Sequence, residues 1–211
     1  MSIASLSRFT VPLASNQSSA TQGLLMPKLK YRFRVSFENF GVSGSTVELT
    51  KQVADAARPN IKFEDKTIEV YNSKIHYAGK PTWQPISITL RDDVTNAVTK
   101  LVGEQNQKQF DFFEQAGATA GGDYKFLTRI EMLDGGNGAE NVGVLETWEL
   151  YGCYLDSTDY QQLSYTGSAD IMMIKLSIQY DNAQQIGPGA GMGTPGFTQK
   201  RGTAVTGGGL Y

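Results

Sequence analysis

KLKYRFRVSFE, residues 28–38, is the stretch that most clearly predicts the class of fold. Its apolar side chains are Leu29, Tyr31, Phe33, Val35 and Phe37, and charged or polar side chains stand between them. Because successive side chains of a strand point to opposite faces, this period of two predicts a half-buried β-strand.

Further strands are predicted on both sides of one helix. With the opening run, the predicted strands cover residues 28–38, 46–53, 66–71, 74–78, 85–91, 124–133, 144–155 and 169–181. Asn72–Ser73 joins two of them as a hairpin, and residues 134–143 form the loop of a longer hairpin. About eight strands joined in hairpins, with one flanking α-helix, predict a mostly β protein built as an antiparallel sandwich or barrel.

The single predicted helix follows the fifth of these strands. Asp92 and Asp93 are its candidate N-cap residues, and Val94, Ala97, Val98, Leu101 and Val102 recur at the spacing of an amphipathic helix. We predict that it runs over residues 93–102 and resumes over residues 105–115.

Composition excludes most catalytic and metal-binding arrangements. The 211 residues contain one His (His76) and one Cys (Cys153), so an intrachain disulfide and the usual zinc ligand sets are absent. No nucleophile motif accompanies His76, and Cys153 lies within an aromatic strand as a small buried hydrophobe. We expect neither an enzyme nor a cofactor.

Charge is distributed unevenly along the chain. The net charge is −2, yet residues 130–174 contain no Lys or Arg, whereas most of the basic residues precede them. Such a molecule presents surfaces of opposite sign that can attract copies of itself. The basic positions of the opening strand, Lys28, Lys30, Arg32 and Arg34, are a candidate interface strand. Direct nucleic-acid binding is disfavoured there, because the aromatic rings point to the opposite face.

Three regions are expected: a polar N-terminal arm (1–29), a β-sandwich domain (30–183) and a glycine-rich C-terminal tail (184–211). No signal-peptide core and no apolar run of membrane-spanning length is found, which predicts a protein made in the cytoplasm and no membrane partner.

Several segments, taken in order, resemble the tail tube protein of contractile-tailed bacteriophages. They are YRFRVSF (31–37), VADAARPNI (53–61), IEVYNSKIHYAGKPTW (68–83), ISITLRDD (86–93), WELYGCYL (148–155) and IKLSIQYDNAQ (174–184). The hairpin segment is the strongest part of the resemblance. The tube subunit of type VI secretion systems shares the architecture and is the alternative, with another β-sandwich virion or ligand-binding module after it.

The resemblance implies a structural virion protein, assembled in the host bacterial cytoplasm, whose hexameric rings stack head to tail into the inner tube of a phage tail. Its implied partners are further copies of itself, the tail sheath protein, the tape-measure protein in the lumen, and the baseplate and tail-terminator proteins at the ends. DNA is expected to pass through without specific binding.

Two groups of residues are expected to make the assembly contacts. The inter-ring stacking candidates are Ala57, Arg58, Pro59, Asn60, Lys62, Glu64, Asp65, Asn72, Lys74, Gly79 and Trp83. The acidic candidates for a lumen wall or ring interface are Glu131, Glu146, Glu149, Asp156 and Asp170.

Overall fold

The computed structural model describes residues 28–42, 45–134, 142–165, 170–187 and 191–192. The chain divides into two compact units between Arg32 and Phe33, and every element below belongs to the second unit. Within the described ranges, no helix combines the length and the apolar character that a membrane crossing needs.

The described residues form eleven strands and three helices. The strands are β1 (Phe33–Glu38), β2 (Val53–Ala56), β3 (Asn60–Val70), β4 (Ser73–Gln84), β5 (Ile86–Arg91), β6 (Phe110–Asp111), β7 (Ala116–Gly117), β8 (Phe126–Leu133), β9 (Val144–Asp159), β10 (Met173–Gln179) and β11 (Asn182–Ile186). The helices are α1 (Val47–Gln52), α2 (Ala97–Gln109) and α3 (Gly121–Tyr124).

Seven strands form one antiparallel sheet around the core. Its order is β1-β8-β9-β10-β5-β2, and β11 pairs with β9 beside β10. The predicted class, a mostly β antiparallel sandwich or barrel with a flanking helix, is confirmed. The elements that the sequence did not predict are short: the strands β2, β6, β7 and β11, and the helices α1 and α3.

The long strand β9 connects the two halves of this sheet. Its first part pairs with β8 and β11, and its last part pairs with β10. Between them Gly152 adopts a positive φ of 68°, where a Cβ would clash with the carboxylate of Asp181. Glycine is therefore needed at this bend.

Alternating side chains supply the core, as the period of two predicts. Val35 and Phe37 of β1 point inward, and the rings of Phe37, Phe40 and Phe126 pack together with centroids 4.9–6.4 Å apart. Cys153 is buried in this core, which confirms its prediction as a small hydrophobe. Burial raises the pKa of its thiol to about 11, so the thiol stays protonated at neutral pH.

Helix α2 covers the edge of β9 that β8 leaves free. The side-chain amide of Gln109 donates to the carbonyl of Leu155 at 2.9 Å and accepts its N–H at 2.7 Å. This side chain thus takes the place of a neighbouring strand. The apolar stripe Val98, Leu101 and Val102 is buried beneath the helix, as its spacing predicts.

Two predicted boundaries of this helix are wrong. It begins at Ala97 because residues 93–96 form a turn, in which Asn96 has a positive φ of 56° and the Asp93 carboxylate accepts the N–H of Ala97 at 3.0 Å. It ends at Gln109 because Phe110 is extended and pairs through β6 with β7. Asp93 therefore supports the helix start from four residues away.

The predicted strand at 46–53 is also wrong. Residues 47–52 form α1, in which Leu49 is buried, and only from Val53 does the chain pair with β5. The alternation of apolar and polar residues there is too short to distinguish one helical turn from a strand.

The opening strand starts later than predicted. Phe33 pairs with Met132, and β8 ends at the next residue, Leu133, so β8 offers residues 28–32 no strand partner among the described residues. Lys28, Lys30 and Arg32 consequently precede β1, and Arg34 alone of the predicted basic strand residues lies on it.

The division into three regions stays a prediction. Strand β11 crosses the predicted boundary between residues 183 and 184. Most of the predicted N-terminal arm, most of the C-terminal tail and residues 135–141 of the predicted long hairpin loop lie outside the described residues.

A buried amide ties α2 to the loop after β1 and to the end of α3, and it gives a first testable prediction. Gln105 is fully buried, accepts the N–H of Gly41 at 3.0 Å and donates to the carbonyl of Tyr124 at 2.7 Å. Gln105→Ala leaves two backbone groups without their partner, so we expect a loss of about 2–4 kcal/mol in the free energy of unfolding. Urea denaturation measures it, with Gln107→Ala on the exposed side of α2 as the control. Equal stability of the two variants would contradict the assigned role.

Candidate assembly surfaces

The hairpin formed by β3 and β4 is the first candidate surface. Within the described residues, its strands pair only with each other, from Asn60 opposite Gln84 to Val70 opposite Ser73. Nearly all of its residues are exposed or half-buried, and none of them belongs to the fully buried core. The predicted hairpin is confirmed and is longer at both strands than the sequence indicates.

The two faces of this hairpin differ in character. We call Ile68, Val70, Ile75 and Tyr77 the hairpin face; these apolar side chains share one side of the hairpin, where Ile68 lies directly opposite Ile75. Their exposed fractions lie between 45% and 54%.

The opposite side of the hairpin is polar. Lys74 pairs with Glu69 at 2.8 Å, and His76 lies 3.0 Å from Asp65. The side of the hairpin face also carries Lys66, which pairs with Glu64, but its four apolar side chains stay about half exposed and form a surface for contact.

The base of the hairpin is fixed to the sheet. The ring of Trp83 packs on that of Tyr180 with centroids 5.6 Å apart, and Arg58 lies 3.6 Å from the carboxylate of Glu146. Gly79 lies opposite Glu64 at a bulge, where a Cβ would come within 3.0 Å of the Glu64 carbonyl oxygen. These contacts set the direction in which the hairpin leaves the sheet.

The structure brings all eleven stacking candidates together in this hairpin and its approach. Ala57, Arg58 and Pro59 lead from β2 into β3, and Asn72 lies in the turn. Asn60, Lys62, Glu64 and Asp65 lie on β3, while Lys74, Gly79 and Trp83 lie on β4. The hairpin face itself was not among the predicted stacking residues. The alternation over residues 66–71 and 74–78 does indicate that apolar side chains share one side of these strands.

The second candidate surface lies on the outer side of β1, β8 and β9. We call its charged residues Arg34, Glu38, Arg129, Glu131 and Glu149 the charge ladder. Arg34 pairs with Glu131 at 2.6 Å, and Arg129 pairs with Glu149 at 2.9 Å and Glu38 at 3.1 Å. Each cation of this ladder therefore already has a carboxylate partner.

The Glu149 carboxylate links the charge ladder to the hydroxyl of Tyr151 by a hydrogen bond. Partial burial alone would lower the pKa of Arg129, but the hydrogen bond and charge of Glu149 raise it above its ordinary value. Tyr151 donates to Glu149 at 2.5 Å, and this bond raises the pKa of the Tyr151 hydroxyl. Glu149 thus holds two neighbouring groups in their protonated forms.

The five acidic candidates do not form one surface. Glu131 and Glu149 belong to the charge ladder, whereas Glu146 is 6% exposed and accepts from the indole N–H of Trp148 at 2.5 Å. Asp156 lies at a bulge of β9, where Ser177 donates to it at 3.4 Å, and Asp170 is exposed ahead of β10.

The four basic candidates also separate. Lys28 and Lys30 are exposed, and the guanidinium of Arg32 lies 5.4 Å from the ring centroid of Tyr31. Arg34 is engaged by Glu131. The structure therefore does not arrange these four residues along one strand face.

Comparison with known proteins identifies the fold. No protein-family model matches the chain, and no curated protein matches it. A chain in the structure of the anti-feeding prophage cap (AFP tube terminating cap) matches with a TM-score of 0.56 at 15% identity, over 79% of this chain and 95% of that one.

Two structures of an extracellular contractile injection system also match. One is the PVC sheath/tube terminator in the extended state, with a TM-score of 0.53 at 19% identity over 78% of this chain and 100% of that one. The other is the PVC sheath-tube complex in the extended state, with a TM-score of 0.52 at 19% identity over 77% and 93%. The chain therefore has the fold found in these parts of contractile injection systems.

Proposed function

We propose that this protein is the tube subunit of a contractile phage tail, in which six copies form a ring and rings stack head to tail. The observation that carries the proposal is the long exposed hairpin with an apolar face, on a fold shared with components of contractile injection systems. Apolar patches exposed on a subunit typically mark surfaces that contact another molecule, so this face indicates an assembly contact.

Stacking of identical rings requires two different complementary surfaces on each subunit. The hairpin, including the eleven stacking candidates and the hairpin face, supplies one of them. Ring symmetry repeats the contact for every subunit, so a modest patch suffices to hold two rings together.

Closure of each ring is assigned to the free edges of the sheet. Within the described residues, β1 and β2 are the end strands of the sheet order and β11 pairs on one side only. Unpaired backbone groups at such edges are ready to pair with another copy. Lys28, Lys30 and Arg32 come directly before β1 in the sequence and stay candidates for this boundary.

The charge ladder is suited to the wall of a conduit. A protein holds DNA by replacing the counterions of its phosphates with Lys or Arg. Because Arg34 and Arg129 form ion pairs with carboxylates, they attract DNA phosphates only weakly. We assign this face to the lumen, where the tape-measure protein and then DNA would pass without specific binding.

Releasing the ladder cations is expected to make the tube retain DNA. In Glu131→Gln with Glu149→Gln, Arg34 and Arg129 each lose a charged partner, so assembled tubes should retain duplex DNA about tenfold more strongly at low salt. Filter binding measures the change, and the gain should fade as salt rises. Glu48→Gln, which frees Lys51 on α1, is the matched control. Equal retention by both variants would contradict the lumen assignment.

The remaining proposed partners follow from the same architecture. The sheath protein would lie outside the tube, and the baseplate and tail-terminator proteins would lie at its two ends. The tube would assemble in the host cytoplasm before it is incorporated into the virion.

Negative-stain microscopy of the purified protein over a range of concentrations tests the proposed function. Rings and tubes are expected; monomers alone at every concentration would overturn it.

A further inference from the structure

The strand registers place the hairpin at one end of the sheet half formed by β2, β5, β10 and the last part of β9. The hairpin leaves beside Ile86, the first residue of β5, because Ala57 donates its N–H to Ser87 at 2.9 Å and Gln84 ends β4. Strand β5 then runs to Arg91, where Met173 begins β10. At about 3.3 Å per residue, the two ends of β5 lie roughly 17 Å apart.

Three chain segments meet at the far end. Residues 92–96 follow β5, residues 159–165 start at the last residue of β9, and residues 170–172 precede β10; we call them together the acidic end. Asp92 donates its N–H to the carbonyl of Met172 at 2.9 Å, which holds the first and third segments together.

The acidic end combines negative charge with exposed apolar side chains. Its carboxylates are Asp92, Asp93, Asp159 and Asp170, and its three segments contain no Lys or Arg. Its apolar side chains Val94, Leu163, Tyr165 and Ile171 are at least 60% exposed. Like the hairpin, this surface has more apolar area in contact with water than a solvated loop needs.

The hairpin between Asn60 and Gln84 has four Lys against three acidic residues, a net charge of +1, and it shares the exposed apolar character. It contains Lys62, Lys66, Lys74 and Lys80. Lys66 and Lys74 pair with Glu64 and Glu69, while Lys62 and Lys80 make no ion pair within the described residues. Two cations are therefore left toward the base of the hairpin, near the bulge between Phe63 and Asp65, for acids of another molecule.

We propose that the hairpin face of one copy docks on the acidic end of the next copy along the tube. This inference rests on the proposed function and names the second surface that ring stacking requires. The two surfaces lie at opposite ends of β5, so their contact is heterologous and propagates in one direction. Apolar side chains meet in its centre, while Lys62 and Lys80, which lie toward the hairpin base, meet aspartates at its edge.

A mixing experiment tests the docking. Leu163→Asp places a charge in the centre of the acidic end, and Ile75→Asp does the same in the hairpin face. Leu163 is 80% exposed, so its variant should fold as the wild type does, and a thermal melt checks this. Each variant alone is expected to form single rings, and their mixture pairs of rings, because each kind of ring retains one intact surface.

The control adds the same charge beside Leu163 without removing an apolar side chain. Gln162→Asp lies in the same exposed segment, and its tubes should be as long as those of the wild type. Tubes of normal length from Leu163→Asp would overturn the docking and leave the proposed function standing. Absence of rings and tubes from the wild-type protein would overturn both.

Discussion

Ile75→Asp is expected to abolish tube formation while leaving a folded subunit. Ile75 is 54% exposed and lies opposite Ile68 in the centre of the hairpin face, so the isolated subunit tolerates the charge. In a stacked ring the carboxylate would be buried against apolar side chains, at a cost of several kcal/mol for each copy. Because the contact is repeated around the ring, the costs accumulate.

The matched control for this variant is Thr67→Asp. Thr67 lies next to Ile68 on the same strand and points to the polar side of the hairpin, opposite His76. Its variant adds the same charge and should form tubes at the wild-type concentration. Light scattering during assembly, followed by microscopy, separates the two variants. Tubes from Ile75→Asp at normal concentration would show that the hairpin face is not a stacking surface.

Excision of the outer hairpin is expected to have the second large effect. Lys62 and Thr82 face each other across the hairpin, so Asn-Gly can replace residues 63–81 as a two-residue turn. Among the described residues, no hydrogen bond or ion pair joins residues 63–81 to the sheet, while Trp83 keeps its contact with Tyr180. The free energy of unfolding should change by less than about 1 kcal/mol.

The excised protein should form no tubes at any concentration at which the wild-type protein forms them. Urea denaturation checks that the sheet is intact, and sedimentation velocity measures the assembly state. Loss of the cooperative unfolding transition would mean that the hairpin is part of the fold. Normal tubes would mean that stacking uses other residues.

Period-two alternation predicted most strands correctly because each has one buried face. Val35 and Phe37, or Ile86, Ile88 and Leu90, are buried for that reason. Where alternation was brief, at residues 46–53, a short helix was indistinguishable from a strand. The prediction of strand ends failed for another reason. The start of β1 depends on where its partner β8 ends, and the local sequence around β1 does not contain that information.

The candidate surfaces were predictable to different degrees. The hairpin residues are consecutive, so a prediction by segment placed them together. The acidic candidates were chosen by charge alone, and the burial of Glu146 against Arg58 depends on contacts distant in sequence. The acidic end was missed because its three segments meet only through the pairing of β5, β9 and β10.

The central claim is that the hairpin forms the contact between consecutive rings. A helical reconstruction of tubes assembled from the purified protein tests it most directly. The account predicts that Ile68 and Ile75 of each subunit are buried against a subunit of the adjacent ring, next to its Leu163. A reconstruction in which the hairpin face remains in solvent, or touches only subunits of its own ring, would contradict it.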